Sequence, residues 1–290
     1  MINLIKMEIY RMLRTRSLWV ILGIMTFAIV FTTYIAGLET ENGVQKQVYI
    51  GDAEDAEMLM EMAGVEDETL NIGMSVMVST QPGEPITLYD MVYSNIQGKF
   101  IMLFLAIFTV IFSTADMNSG YIKNIGGQIA RKSNLLFAKM VALAVFTVMT
   151  ITLFIAAQAI GNLLFLDGIR FGNAAQFGRY LVAQTILHYA LVVVCMMIAV
   201  VIRNNLISMI ITICLCMNLM MVLYQAVGKV LLKLSGKEVN VLDYAVSTKI
   251  SLLPKTMDVS ELWQAVILAL VYMVLFIVSG CLITKKRDIV

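Results

Sequence analysis

The chain has 290 residues, 60% of them hydrophobic and 14% charged, with a mean hydropathy of +0.85. A soluble domain of this length cannot bury so much apolar surface, so the composition excludes a water-soluble globule and points to a lipid bilayer. The net charge of +1 excludes little by itself, because acids and bases are sorted by segment and the sorting carries the signal.

Residues 1–17 place Ile2, Ile5, Ile9, Met12 and Leu13 near helical spacing, with Lys6, Arg14 and Arg16 elsewhere. This predicts an amphipathic helix along the inner membrane surface; a plain charge anchor for the segment that follows is the alternative. Runs of roughly 20 apolar residues, enough to cross about 30 Å of hydrocarbon, predict six spans at 18–38, 96–113, 137–164, 180–202, 206–227 and 262–284. The first is too long for the apolar part of a cleaved signal peptide. The second has a short uninterrupted core and needs Lys99 to snorkel to the outer surface. The third exceeds one crossing, which implies tilt or a helical extension into water.

Lys and Arg near the span ends set the orientation. Lys6, Arg11, Arg14 and Arg16 at the start, Lys123, Arg131, Lys132 and Lys139 around the island 114–136, Arg203, and Lys285, Lys286 and Arg287 in the tail 285–290 all fall on the cytoplasmic side. Both termini are then inside. Residues 39–95 are crowded with Asp and Glu and form a small extracytoplasmic domain, with a short helix expected over 52–63, a strand over 75–80 and a turn over 81–85. Its carboxylates make a solvated face or concentrate cationic ligands. Residues 228–261 mix apolar clusters with Lys229, Lys233, Lys237, Lys249 and Lys255, and are read as amphipathic, re-entrant helices dipping into the outer leaflet. The expected fold class is an all-α integral membrane protein.

Catalytic chemistry has little to work with here. No H-E-x-x-H, G-x-S-x-G or phosphate-binding G-x-x-x-x-G-K-[ST] sequence occurs, so the chain is not expected to be an enzyme or to bind a cofactor. Cys195, Cys214, Cys216 and Cys281 sit in apolar runs and are read as packing residues rather than metal ligands. Neither metal nor nucleic acid is an expected partner. Any work on a substrate must draw its energy from another protein. Polar residues interrupt the spans at Gln158, Asn162, Gln184, His188, Asn218 and Gln225, and Gln264 begins the sixth. Charge-derived topology puts all of these in the outer half, where they either hydrogen-bond helix to helix or line an outward-facing substrate path, for which the first six are the candidates. Twenty-two methionines make an adaptable apolar interior.

The island carries Asp116, Gly120, Lys123-Asn124, Arg131 and Lys132 before Lys139, with apolar Tyr121, Ile122, Ile125 and Ile129 among them. A basic surface helix, six spans with both termini inside and an island of this pattern resemble the permease subunits of ABC-2 type ABC transporters. In that family the island often begins with an acid, passes through a Gly to a basic residue and ends in an Arg-containing segment leading into a Lys; Asp116 stands where the family frequently has Glu. The outer domain and the lack of a fused ATPase are similar to permeases for peptide antibiotics, of the bacitracin and lantibiotic immunity or export kind. The resemblance implies a multi-pass protein of the bacterial cytoplasmic membrane, two copies of which pair with two copies of a separate ABC ATP-binding subunit that uses ATP and Mg. It implies that residues 1–17 are a connecting helix, that 228–261 are re-entrant, and that Asp116, Gly120, Tyr121, Lys123, Asn124, Arg131 and Lys132 couple to the ATPase. The cargo would be an amphipathic or lipophilic molecule such as an antimicrobial peptide, moved outward. From a different class, a membrane sensor or scaffold would bind ligand on its acidic outer domain and recruit a signalling protein through the island.

Overall fold

A computed structural model describes residues 1–41, 48–50, 74–76, 85–118, 132–166, 168–235 and 241–286, nearly all of them helical. The first helix, α1 (Ile2–Arg14), buries Glu8 and Met12 and ends where Thr15 adopts an extended conformation. The Trp19 indole then donates to the Leu13 carbonyl at 2.9 Å, satisfying one of the acceptors that a helix C-terminus leaves open. Next come α2 (Arg16–Glu41) and a short antiparallel pair, β1 (Val48–Ile50) with β2 (Met74–Val76), in which Val48 faces Val76 and Ile50 faces Met74. The helix expected over 52–63 and most of the turn expected over 81–85 lie outside the described residues.

The second expected span is a bent pair. Helix α3 (Leu88–Gln97) starts from a capping box: the Thr87 hydroxyl accepts from the Asp90 amide while the Asp90 carboxylate accepts from the Thr87 amide. It is joined to α4 (Phe100–Asn118) at an angle of 53°, through Gly98 and a Lys99 with φ of 66°. A left-handed, non-glycine residue cannot continue a helix, so the chain turns there. Lys99 does not snorkel outward as expected. It is 1% exposed and lies beside Cys216.

Beyond the island come the two longest of the described helices, α5 (Lys132–Phe165), of 34 residues, and α6 (Ala174–Ile202), of 29 residues. The segment expected as a single fifth span is divided. Helix α7 (Asn205–Cys216) is 12 residues long, about 18 Å at 1.5 Å per residue, and Asn218 with φ of 59° breaks the path before α8 (Met221–Ser235). A 3-10 turn (Val241–Tyr244), α9 (Val246–Leu252) and α10 (Val259–Lys286) complete the described chain. Four helices, α2, α5, α6 and α10, are long and apolar enough to cross a bilayer, and the bent pair α3–α4 raises that to five. Six unbroken crossings are therefore not present among the described residues, because Asn218 interrupts an apolar run that hydropathy reads as continuous.

Helix α6 occupies the centre, with every residue from 190 to 197 buried, and is flanked by α10, α4, α5, α7 and α9. Helices α1 and α2 lie against α5. The periphery has the opposite character: Trp263, Ile267, Leu270, Val274 and Val278 of α10, and Trp19, Ile24, Phe27 and Phe31 of α2, are exposed. Apolar stripes this long are stable only against lipid or a membrane-embedded neighbour, so the chain is a multi-pass membrane protein.

Candidate functional site

Two ends of the bundle bring chemistry together. At the end where α3 and α6 begin, the capping Asp90 is 5% exposed. One carboxylate oxygen, Oδ2, accepts from the Thr87 amide (2.8 Å) and hydroxyl (2.6 Å), while Oδ1 pairs with the Lys255 ammonium from the strap between α9 and α10. The neighbouring Tyr89 hydroxyl donates to the Lys255 carbonyl, and the Lys255 ammonium stands 5.7 Å from the Tyr89 ring centre. Tyr89 leans on Phe177 and Tyr180 of α6, and Tyr180 in turn meets Tyr93, with ring centres 5.2 to 5.6 Å apart. The strap is also tied to α6 through its backbone: Met257 N donates to Gln176 Oε1 at 3.1 Å and Arg179 donates to the Met257 carbonyl at 3.3 Å.

One turn further along α3 lies a buried amide network. Thr32 of α2 donates to Asn95 Oδ1 (3.1 Å), and Asn95 Nδ2 donates to Gln158 Oε1 of α5 (3.0 Å). Gln158 Nε2 donates to Thr33 Oγ1 and to Asn162 Oδ1, both at 2.8 Å. Two of the sequence-predicted path residues, Gln158 and Asn162, thus serve in a three-helix network of α2, α3 and α5, in an apolar setting where each buried polar group needs a partner. Gln184 and His188 form a separate group facing α9. Gln184 donates to the Ile250 carbonyl (3.0 Å), and His188 Nδ1 meets the Gln184 carbonyl (2.7 Å). Asn218 sits at the α7–α8 break, 2% exposed, and Gln225 lies apart on α8. The structure therefore brings Gln158 to Asn162 and Gln184 to His188, and leaves Asn218 and Gln225 outside both groups.

Asp90, Tyr89, Asn95 and Lys255 escape a reading based on spans, because they flank the apolar runs rather than interrupt them. Thr87-x-x-Asp90 is a legible helix-start signature, and it marks this end of α3.

At the opposite end, α4 and α5 form the two stems of the island. Asp116 lies in the last turn of α4 and Lys132 begins α5, while Gly120, Tyr121, Lys123, Asn124 and Arg131 lie outside the described residues. The stem just above them is well defined. Lys139 is 5% exposed, with its ammonium 3.5 Å from the Phe112 carbonyl, 3.4 Å from the Ser113 carbonyl and 5.3 Å from the Phe112 ring centre. The Arg11 guanidinium approaches the same ring at 4.9 Å and pairs with the buried Glu8 at 2.7 Å. Two cations on one aromatic ring fix α1 against the α4–α5 stems. Thr114 donates to Asn205 Oδ1 at 3.1 Å, adding the start of α7 to the junction.

With this geometry in place, comparison with known families gives one finding. A family model, described as a protein of unknown function (DUF2705), matches residues 57–290. No curated protein matches the chain.

Proposed function

We propose that this chain, which belongs to the DUF2705 family, is the membrane subunit of an ATP-driven exporter of the ABC-2 type, working with a separate ATP-binding subunit that supplies ATP and Mg chemistry. The observation that carries this reading is the junction of Glu8, Arg11, Phe112 and Lys139. It joins the amphipathic α1 to both stems of the basic island, so that a partner gripping 119–131 moves α1, α4 and α5 as one body. Packed helices transmit displacement as units rather than bending continuously.

From the stems, the displacement runs up α4 to the 53° bend at Lys99 and up α5 to Gln158 and Asn162. The buried amide network ties α2, α3 and α5 at that level, so the displacement reaches all three helices. In this reading α3–α4 and the broken α7–α8 each make one crossing, giving six with both termini in the cytoplasm of a bacterial cell. Two copies of the chain assemble with two ATP-binding subunits. The apolar, lipid-facing flanks suit an amphipathic or lipophilic cargo, such as an antimicrobial peptide, drawn outward from the bilayer.

The test is the double replacement Lys123→Glu and Arg131→Glu. Copurification of the ATP-binding subunit is expected to fall at least tenfold while the amount of membrane-inserted chain stays unchanged. A double variant that retains both the partner and full transport contradicts the proposal.

A further inference from the structure

We propose that Asp90 and the Tyr89 ring form a binding site for an organic cation, an ammonium or quaternary ammonium group, and that Lys255 is its tethered occupant. The inference rests on the end of the bundle where α3 and α6 begin and does not depend on how the island is driven.

The Asp90 carboxylate is 6% exposed at the side chain, and its two oxygens have different company. Oδ2 is spent on the Thr87 amide and hydroxyl, which fix the carboxylate in the first turn of α3. Oδ1 faces the strap and meets the Lys255 ammonium. The same ammonium stands over the Tyr89 ring, so one cation takes a charge-paired hydrogen bond and an aromatic face together. A carboxylate beside an aromatic wall is the chemistry that recognises ammonium ligands, and Phe177 and Tyr180 back the Tyr89 ring so that it keeps its orientation.

Two features make Lys255 an occupant that can leave. Its side chain is 37% exposed, far more than its partner, so the ammonium can swing into water. The strap does not depend on it: the Tyr89 hydroxyl holds the Lys255 carbonyl, while Gln176 and Arg179 hold the Met257 backbone. Withdrawal of the ammonium leaves the strap fastened and a buried carboxylate without its countercharge, a state that recruits a cation from solution.

Butyltrimethylammonium, which has no nucleophilic nitrogen and so cannot be acylated, is the probe, titrated calorimetrically into the full chain in lipid nanodiscs. Lys255→Ala is expected to bind it at least tenfold more tightly than the unaltered chain, and adding Asp90→Asn to that variant is expected to abolish the gain. Equal affinity of Lys255→Ala and the unaltered chain, or a gain that survives Asp90→Asn, overturns the proposal. A second measurement needs no variant. The rate at which a water-soluble acetylating ester labels Lys255, read by peptide mass spectrometry, is expected to rise severalfold at saturating butyltrimethylammonium; an unchanged rate overturns the proposal equally.

Discussion

Gln158 shows how much one amide organises. It is fully buried, donates to Thr33 and Asn162, and accepts from Asn95, so three helices meet on a single side chain. Replacing it with Leu keeps the volume but strips Asn95, Thr33 and Asn162 of that partner. The expected cost is about 1 kcal/mol, within the range measured for side-chain hydrogen bonds between membrane helices, read as a shift in the denaturant midpoint of the purified chain. Thr152→Val is the control. That hydroxyl is exposed and bonds only its own helix at Val148, and its replacement is expected to leave the midpoint unchanged. At this scale the sequence was half legible. Gln158, Asn162, Gln184 and His188 stand out because a polar residue inside an apolar run demands a partner, but the partners themselves are carbonyls and threonines that no pattern marks. Asn95 and Asp90 were hidden for a different reason: they lie where an acidic segment gives way to an apolar one, and a polar residue there looks solvated.

The elements follow the hydropathy closely where the helix is unbroken and poorly where it is not. Helices α2, α5, α6 and α10 contain the spans expected at 18–38, 137–164, 180–202 and 262–284. The spans expected at 96–113 and 206–227 are cut by Lys99 and Asn218 in left-handed conformation. Neither residue forbids a helix, and the only local marks, Gly98 ahead of Lys99 and the tolerance of asparagine for the left-handed region, are too weak to stop a hydropathy reading at either break. Close approach of α2 and α5 was no easier to read, although it depends on two glycines. A Cβ on Gly37 would lie 2.7 Å from the Phe165 carbonyl oxygen, and one on Gly161 would lie 3.1 Å from Thr33 Oγ1. Gly37→Val and Gly161→Val are each expected to cost about 1–3 kcal/mol by forcing the helices apart, whereas Gly23→Ala, with nothing within 4 Å, is expected to cause no loss and at most a small gain of stability in the same unfolding measurement. The docking of α1 gives a prediction of its own. Arg11→Glu sets a second carboxylate beside the buried Glu8 and removes the cation from Phe112. Helix α1 is expected to leave the stems, seen as trypsin cleavage after Arg14 and Arg16 at least several times faster than in the unaltered chain; an unchanged rate means α1 is held by other contacts.

Over the whole molecule, the structure sorts its polar chemistry to the two ends and leaves apolar flanks between them. Asp90, Lys255, Gln176 and Arg179 gather at one end, and Glu8, Arg11, Lys139, Thr114 and Asn205 gather at the other. In the proposed topology these ends face the exterior and the cytoplasm respectively, following the distribution of Lys and Arg. A membrane identity was legible from composition alone, because 60% hydrophobic residues admit no other solvent. The clustering within each end was not, since it depends on contacts between residues as distant in sequence as Asp90 and Lys255. The proposed function joins these ends by a mechanical path that starts at the island. Its most direct test places a photoreactive benzoylphenylalanine at Tyr121 in cells that carry the native partner, with crosslinked products identified by mass spectrometry. The account predicts a covalent adduct with a protein that contains a phosphate-binding G-x-x-x-x-G-K-[ST] loop. Adducts formed only with extracytoplasmic proteins, or efficient incorporation with no adduct to such an ATPase, would contradict it.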